Sequence, residues 1–536
     1  MQRFSLRLTL VLLVVPLLVA QERVDLNTVH RIRYEALQNS KVMEYIWQLT
    51  EVNGPRLTNS PGYKRAGEWA AKQFTEMGLK NVKLEKWGPF GQGWENTRFA
   101  AHMVEPTYSP LIGFQLAWSA GTNGPVTGEV LYAAIRTEAD MEKWKGKLSG
   151  KILLMEPEKE IAPQDRASMS RYTPEQLDGM FLAPDPGQRS PFGMPPMAAA
   201  AGAPGRPPMN REQMMSLRRK ISEFLKSEGV LAVLSLPYRG DGGTVFGASA
   251  GSREVKDPIP PASVALTPEH YNRIFRLVQK KIAVKVELDV QAKFFPEETD
   301  SFNVIAELPG SGKKKDEIVM IGAHLDSWHG AQGATDNASG SAVMMEVMRI
   351  LKALDVKLER TVRIALWGGE EQGLLGSRAY VKERFADRET MKVTSEHGKM
   401  SAYYNLDNGT GKIRGIYLQG NDMARPVFEA YLAPFKDLGA ETVSIRNTGG
   451  TDHQSFDAVG LPGFQFIQDA VEYSTRTHHS NMDTYDRIQR GDMMQASAVI
   501  AGFVYHTAMR DEMIPRKPLP KPQPRPADGA KPLPTE

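Results

Sequence analysis

Four short motifs carry the side chains of this chain that could do chemistry. They are HLDSWHGAQGATDNASG from His324 to Gly340, WGGEEQG from Trp367 to Gly373, NLDNG from Asn405 to Gly409, and HHSNMDTYD from His478 to Asp486. Their imidazole and carboxylate groups are together good ligands for divalent metals such as Zn²⁺. Because the chain has no cysteine, any metal must be held by histidine, aspartate and glutamate.

The residue types suit hydrolysis by metal-activated water. A bridging carboxylate can hold two cations about 3.5–4 Å apart, and the cations lower the pKa of bound water to about 7. A carboxylate that binds no metal must then take the water proton and pass it to the leaving group. Adjacent Glu370 and Glu371 suit this division, with one as a ligand and one free. Asp326, two residues after His324, suits a residue that orients the imidazole.

Each motif alone has a simpler interpretation. A histidine at a strand end is more often only hydrogen-bonded, adjacent glutamates are usually solvated, and Asp407 could be a turn residue. His478 and His479 could be surface histidines, and Ser480 could be a nucleophile, although no GxSxG elbow is present. The HExxH pattern of helical zinc proteases is also absent. Together the four motifs favour one shared site, because ligands of open α/β sheets bind beyond the carboxyl ends of the strands.

The elements that must position these motifs lie between residues 302 and 510. Buried strands alternate there with helices, which predicts an α/β fold with a largely parallel mixed sheet sandwiched by helices. Apolar runs predict strands at 317–323, 362–367, 401–406, 415–420 and 463–468. Each motif begins where a predicted strand ends.

The length of 536 residues predicts more than one folded unit. We expect a catalytic domain in two parts, 24–120 and 296–512, separated by an inserted β-rich domain at 121–295. Within the insert, residues 191–210 are rich in Pro, Ala, Gly and Met, and we expect them to be a disordered loop. Residues 513–536 form a Pro-rich tail.

The N-terminus and the overall charge indicate the compartment and the partners. Arg3 and Arg7 precede a short apolar run that ends at Ala20, which is typical of a cleavable signal peptide over residues 1–20. We therefore expect a secreted or periplasmic protein with no membrane association after cleavage. A net charge of +3 is too small to indicate a nucleic-acid partner.

The motif set resembles that of the co-catalytic dizinc exopeptidases, a family that includes bacterial leucyl aminopeptidases, aminopeptidase Y and glutamate carboxypeptidase-like proteins. The resemblance covers most of the chain and includes the N-terminal GPRLTNSPG segment and GAHLDSWHGAQGATDNASG, LWGGEEQG and HHSNMDT. It implies the zinc exopeptidase fold, an insert of the protease-associated type, two zinc ions per chain and a homodimer.

The resemblance also implies a role for each candidate residue. Carried over, His324 and Asp407 hold one zinc, Glu371 and His479 hold the other, Asp336 bridges them, Glu370 is the general base, and Asp326 supports His324. His479 is preferred to His478 because the family's histidine stands four residues before an Asp-Thr pair, here Asp483-Thr484. A cis peptide between Asp336 and Asn337 is implied as well. His329 stands where a similar family member has an acidic residue, on the predicted substrate side.

The function implied is a secreted zinc-dependent exopeptidase that acts on dipeptides or short peptides with a free N-terminus. Three alternatives stay open: an aminopeptidase on longer peptides, a receptor-like binding protein with a decayed metal site, and a single-zinc glutaminyl cyclase. The complete ligand set disfavours the receptor, and the insert disfavours the cyclase. Mn²⁺ or Co²⁺ suits the same ligands, so the native metal stays open, as does the side-chain preference.

Overall fold

The computed structural model describes residues 22–183 and 210–523. The predicted signal peptide at 1–20, residues 191–209 of the predicted disordered loop, and the tail from residue 524 lie outside the described residues. No helix in the two described ranges has both the length and the apolar content that a bilayer crossing needs.

The described residues form strands and helices in two groups. The strands are β1 (Lys80–Trp87), β2 (Gly93–Glu105), β3 (Ser109–Pro110), β4 (Gly113–Gln115), β5 (Val126–Tyr132), β6 (Lys151–Leu154), β7 (Ala232–Ser235), β8 (Ala262–Leu266), β9 (Lys285–Phe295), β10 (Ser301–Leu308), β11 (Ile318–His324), β12 (Thr361–Trp367), β13 (Ala386–Asp387), β14 (Lys392–Val393), β15 (Met400–Asn405), β16 (Ile413–Tyr417), β17 (Thr442–Ser444) and β18 (Gly463–Gln468). The helices are α1 (Leu26–Gln38), α2 (Val42–Trp47), α3 (Pro61–Glu76), α4 (Glu138–Trp144), α5 (Pro174–Phe181), α6 (Arg211–Ser227), α7 (Pro268–Gln279), α8 (Ser339–Ala353), α9 (Leu375–Arg384), α10 (Arg425–Leu432), α11 (His453–Asp457) and α12 (Arg490–Met509).

The first sheet has eight strands in the order β1-β10-β12-β11-β15-β18-β16-β17. Its centre, from β12 through β11 and β15 to β18, is parallel. β1 pairs antiparallel with β10, β10 with β12, and β16 with β18. Every residue of β11 is buried, because helices cover both faces of a central parallel strand. The prediction of a mixed α/β sheet between helices is therefore confirmed.

Two apolar cores hold the helices on this sheet. The larger core packs α1, α2, α3, α8, α10 and α12 against one face, and a smaller one packs α9 and α11 against the other. Helix α12 is buried along nearly its whole length, as expected for a helix that is apolar on all sides. This packing fixes the carboxyl ends of the central strands.

The second sheet also has eight strands, in the order β3-β2-β9-β5-β6-β7-β8-β4. It starts at β2, and residues 93–115, which come before the predicted start of the insert at residue 121, supply three strands of this sheet. β2 pairs antiparallel with β9 along its length. The sequence did not indicate β2 because exposed polar side chains, such as those of Thr97 and Arg98, interrupt the apolar alternation of a half-buried strand. That this unit is a protease-associated domain stays a prediction.

The described part of the Pro-rich tail has no helix or strand. It nevertheless contacts the first sheet's loops, because Lys517 Nζ lies 2.6 Å from Asp457 Oδ1 and Gln523 accepts a hydrogen bond of 2.9 Å from Arg388 Nε. Residues 513–523 therefore lie along the body of the protein.

Candidate metal centre

The carboxyl ends of neighbouring parallel strands bring the motif side chains together. His324 is the last residue of β11, Glu370 comes three residues after β12, and Asp407 comes two residues after β15. Asp336 lies in the turn Ala334–Ala338 that precedes α8, and His479 lies in the loop after β18. The peptide bond between Asp336 and Asn337 is cis, as the resemblance implied.

Asp336 stands between two histidines. Its Oδ1 lies 3.2 Å from His324 Nε2, and its Oδ2 lies 3.2 Å from His479 Nε2. On the first side Asp407 Oδ2 is 3.6 Å from His324 Nε2, and on the second side Glu371 Oε2 is 2.9 Å from His479 Nε2. The ligand atoms thus form two groups that share one carboxylate.

Glu370 is buried beside the first group. Its Oε2 lies 4.0 Å from His324 Nε2, too far for a hydrogen bond. The preceding glycines allow the chain to turn there: Gly369 has a φ of +69°, and a Cβ on Gly368 would lie 2.0 Å from the Tyr63 hydroxyl. Only glycine tolerates such a close approach and readily adopts such a φ, so the WGGEE sequence presents Glu370 and Glu371 at the site.

Asp326 supports the site through its backbone carbonyl as well as through its carboxylate. The Nδ1 of His324 lies 2.9 Å from the backbone carbonyl of Asp326, so this carbonyl fixes the imidazole and leaves Nε2 facing Asp336. The Asp326 carboxylate instead accepts hydrogen bonds from the backbone amides of Glu370 and Glu371, at 3.2 and 3.3 Å. Asp326 therefore connects the end of β11 to the loop after β12.

The crowding of acids in a buried site shifts their pKa values. Burial raises the pKa of Glu370 well above its ordinary range, and Asp407 adds to this rise although His324 opposes it. Burial and Asp336 raise the pKa of Glu371 to about 7. For His324, burial lowers the pKa, but Glu370 and Asp407 outweigh it and raise the pKa well above the ordinary range. The site therefore attracts positive charge.

The donor set fits a metal ion. Ligand atoms of His324, Asp336 and Asp407 lie within 4.8 Å of one another, and so do those of Asp336, His478 and His479. Asp336 Oδ2 is buried without a hydrogen bond of acceptable geometry, which is costly unless a cation or another partner satisfies it. Imidazole and carboxylate groups at such spacing suit Zn²⁺.

His478 and His479 differ in their contacts. Arg239 Nη2 lies 3.3 Å from His478 Nδ1, and because arginine can only donate, this nitrogen accepts. Burial and the neighbouring His479 lower the pKa of His478 to about 4, so its ring is neutral and carries its proton on Nε2. That nitrogen has no free lone pair for a metal, whereas His479 Nε2 faces both Glu371 and Asp336.

Sequence reasoning missed several residues that support the site. Arg56 is fully buried and donates to the backbone carbonyls of Leu325, Leu49, Gln332 and Gly333 at 2.7–2.8 Å. Asp483 accepts from the amides of Thr335 and Asp336 at 2.5 and 3.2 Å. Arg56 thus places a positive charge under the acidic cluster and fixes the loop before Asp336. Arg56 belongs to the GPRLTNSPG segment, which carries part of the family resemblance. This segment is the sequence signal that could have indicated Arg56.

The fold and the site define a class of protein. Residues 303–504 match the model of peptidase family M28, and this range contains all the candidate residues named above apart from Arg56 and Arg239. This part of the chain is therefore similar to peptidase family M28.

Over nearly its whole length the chain is similar to carboxypeptidase Q. It is 27% identical to the mouse protein (Mus musculus) over 485 residues, which are 90% of this chain and 88% of that protein. Aminopeptidase YwaD of Bacillus subtilis (strain 168) is 28% identical over 232 residues, which are 42% of this chain and 49% of that protein.

Two solved structures share the fold. A peptidase M28 precursor from Shewanella amazonensis SB2B matches with a TM-score of 0.63 and 24% identity, over 92% of this chain and 98% of that chain. BSAP, a zinc aminopeptidase from Bacillus subtilis, matches with a TM-score of 0.53 and 20% identity, over 88% of this chain and 95% of that chain.

Proposed function

We propose that this protein is a zinc-dependent exopeptidase that hydrolyses dipeptides or short peptides with a free N-terminus. The observation that carries the proposal is the position of Asp336, whose two carboxylate oxygens lie 3.2 Å from two different histidines. The match of residues 303–504 to family M28 and the similarity to carboxypeptidase Q support a metallo-exopeptidase, and the likeness to a zinc aminopeptidase supports zinc.

We assign the ligands by the two groups that Asp336 joins. His324 and Asp407 would hold one zinc, Glu371 and His479 would hold the second, and Asp336 would contact both. Bound zinc supplies Lewis acidity, which polarises the substrate carbonyl and makes water a better nucleophile at neutral pH.

Glu370 would act as the general base. Its carboxylate is buried next to the ligands but 4.0 Å from the nearest imidazole nitrogen, so it is free to bind a water molecule. It would take a proton from the attacking water and deliver it to the leaving amine nitrogen. The Asp326 carboxylate would hold the Glu370 backbone in place during both transfers, and the acidic cluster would attract the substrate's N-terminal ammonium group.

We also propose that the protein is exported. The support is the sequence of residues 1–20, in which two arginines precede a short apolar run.

The test is a panel of substrates incubated with purified protein, with and without a chelator. The panel contains a dipeptide, a longer peptide with the same N-terminal residues, and the dipeptide with its N-terminus acetylated. We expect hydrolysis of the free dipeptide, little hydrolysis of the acetylated one, and loss of activity with chelator that added Zn²⁺ restores.

Two outcomes would contradict the proposal. Hydrolysis that persists in chelator after extensive dialysis would exclude a metal-dependent reaction. Preference for the acetylated peptide would exclude recognition of the free N-terminus. Rapid cleavage of the longer peptide at its N-terminal bond would instead favour the aminopeptidase alternative.

A further inference from the structure

The main chain of His479 is hydrogen-bonded to the unit of the second sheet, although His479 follows β18 of the first sheet. The carbonyl of His479 accepts a hydrogen bond of 3.0 Å from the amide of Gly247. Gly247 belongs to the connection between β7 and β8, two strands of the second sheet. A proposed metal ligand of one unit therefore has its main chain held by the other unit.

Asn481, two residues after His479, extends this contact. Its Oδ1 accepts from the Val245 amide at 2.7 Å, and its Nδ2 donates to the Gly243 carbonyl at 3.0 Å. Its own amide donates to the Val245 carbonyl at 3.0 Å. Together with the bond from Gly247, these hydrogen bonds dock the loop of His479 on the segment from Gly243 to Gly247.

The segment from Gly243 to Gly247 is anchored in the second sheet. Val245 and Phe246 are buried, and Val245 shares an apolar cluster with Phe114 of β4 and Ala265 of β8. Burial of these side chains fixes the main chain between them. The segment therefore offers the loop of His479 a rigid support.

His479 depends on such support more than His324 does. The Nδ1 of His324 is fixed by the Asp326 carbonyl at 2.9 Å, as is usual for a metal-binding histidine. Among the described residues, the imidazole of His479 has polar contacts only through Nε2, with Asp336 and Glu371. His479 also has a φ of +61°, which is uncommon for a residue other than glycine and persists where the surroundings enforce it. The position of this imidazole therefore depends on how the main chain is held.

We propose that Asn481 is a positioning residue for His479, so that the second sheet completes the zinc site formed with Glu371. The inference rests on the proposed function, because it takes His479 to be a zinc ligand. The coupling acts in both directions: loss of the Asn481 hydrogen bonds weakens zinc binding, and bound zinc strengthens those hydrogen bonds. The other proposed zinc has no such dependence, since Asp326 of the same unit fixes His324.

The first experiment measures zinc binding to the full-length protein by equilibrium dialysis over a range of free Zn²⁺ concentrations. The variant is Asn481→Ala, which removes the side-chain hydrogen bonds to Gly243 and Val245. The matched control is Asn272→Ala, because the Asn272 side chain accepts from the Lys159 amide at 3.0 Å and donates to the Lys159 carbonyl at 2.6 Å. Those two bonds have the same chemistry but lie wholly within the unit of the second sheet.

We expect wild-type protein to bind a pair of zinc ions. Asn481→Ala should bind the first as wild type does and the second about 10- to 100-fold more weakly, as for other residues that support metal ligands. A matching excess of free Zn²⁺ should refill the weakened site. Asn272→Ala should have a lower melting temperature but bind both ions as wild type does, because a loss of stability alone does not displace His479.

The second experiment uses wild-type protein alone and follows amide hydrogen exchange with and without Zn²⁺. The amides of Val245 and Gly247 donate to Asn481 and His479, so bound zinc should slow exchange in the peptide that contains residues 243–247. The control peptide covers β9, which pairs with β2 and β5 instead and should exchange equally in both states. This measurement decides the question even if Asn481→Ala does not fold.

The outcomes separate this inference from the proposed function. If Asn481→Ala binds both ions as tightly as wild type, or if zinc leaves exchange at residues 243–247 unchanged, Asn481 does not position His479 while the exopeptidase function stands. If Asn272→Ala loses zinc to the same extent as Asn481→Ala, the effect is one of general stability and the inference is again wrong. If wild-type protein binds no zinc, the proposed function fails and the inference fails with it.

Discussion

The carboxylate of Asp326 accepts a hydrogen bond of 3.2 Å from the backbone amide of Glu370. Its other oxygen accepts from the Glu371 amide at 3.3 Å and from the Thr58 hydroxyl at 2.9 Å. Asp326 therefore holds the main chain of both glutamates with one side chain. The proposed base and a proposed ligand thus depend on a residue that is itself neither the proposed base nor a proposed ligand.

Asp326→Asn tests this supporting role. An asparagine amide would direct an NH₂ group at one of three donors, so at least one backbone or hydroxyl donor would lose its acceptor. We expect kcat to fall about 10- to 100-fold, as for other residues that support metal ligands, with a lower melting temperature. Steady-state kinetics and thermal unfolding measure these effects.

The matched control for Asp326→Asn is Thr58→Ser, which keeps the hydroxyl that donates to Asp326. It should leave kcat within about two-fold of wild type. An Asp326→Asn protein with wild-type kcat would show that the two amides hold their positions without this carboxylate.

Glu370→Gln separates proton transfer from metal binding. Glutamine keeps the size of the side chain but cannot take a proton from water, so kcat should fall by about 10²- to 10⁴-fold. The bound zinc, measured after dialysis, should equal that of wild type, because Glu370 is not among the proposed ligands.

Glu371→Gln is the paired variant, and it should differ from Glu370→Gln in losing bound zinc. Glu371 Oε2 lies 2.9 Å from His479 Nε2, so its loss should lower the zinc content as well as the activity. If the two variants exchanged these phenotypes, the roles of Glu370 and Glu371 would have to be exchanged.

Replacing each of the two adjacent histidines identifies the ligand. His479→Gln should reduce bound zinc from about two ions per chain towards one and abolish most activity, because this zinc would lose one of its three proposed protein ligands. His478→Gln should retain both ions, since Arg239 occupies the Nδ1 of His478 and its Nε2 carries the proton. Metal analysis of dialysed protein measures both.

An exchange of those two results, with zinc lost from His478→Gln and retained by His479→Gln, would refute the assignment. Arg239→Met gives a further check. Without its guanidinium, His478 is free to change its tautomer, but the zinc content should not change if His479 is the ligand.

Local apolar sequence sufficed to predict the central strands. The run GFQFIQ predicted a strand at 463–468, and the observed strand has the same bounds. The observed β11 is shifted by one residue from its predicted range, and β12 begins one residue earlier than predicted. These strands are buried on both faces, so every residue carries the signal. Strand β2 was missed because its exposed polar side chains remove the apolar alternation and its partner β9 lies far along the chain.

The same distinction applies to the site. The convergence of His324, Glu370 and Asp407 was predictable, because each lies at the end of a buried strand or just after it and the ends of parallel strands meet at one edge of the sheet. Arg56 was not predictable from periodicity or spacing, since its acceptors are main-chain carbonyls of three separate segments that meet only in the fold. The backbone carbonyl of Asp326 as the partner of His324 is likewise invisible in a sequence, because every residue has one.

His329 joins the site loop to the second sheet and should give unfolding a distinct pH dependence. Its Nε2 donates to the Gln115 carbonyl at 2.6 Å, and its ring packs edge-on against Trp94 and Phe114. Its buried Nδ1 has no hydrogen-bond partner among the described residues. Burial lowers the pKa of His329 to about 4, below the 6.5 of an unfolded histidine. Between these values the unfolded chain binds a proton that the folded chain does not, so the free energy of unfolding falls as the pH falls.

The variant His329→Gln isolates this contribution, because its amide can still donate to Gln115 but does not titrate. The difference in unfolding free energy, wild type minus variant, should decrease by at most about 1.4 kcal/mol per pH unit as the pH falls from about 6.5 to 4. Urea unfolding at a series of pH values measures it, with His30→Gln on the exposed side of α1 as the control that should follow wild type. A pH-independent difference would show that His329 takes up a proton equally well in the folded and unfolded states, which would contradict a lowered pKa in the folded protein.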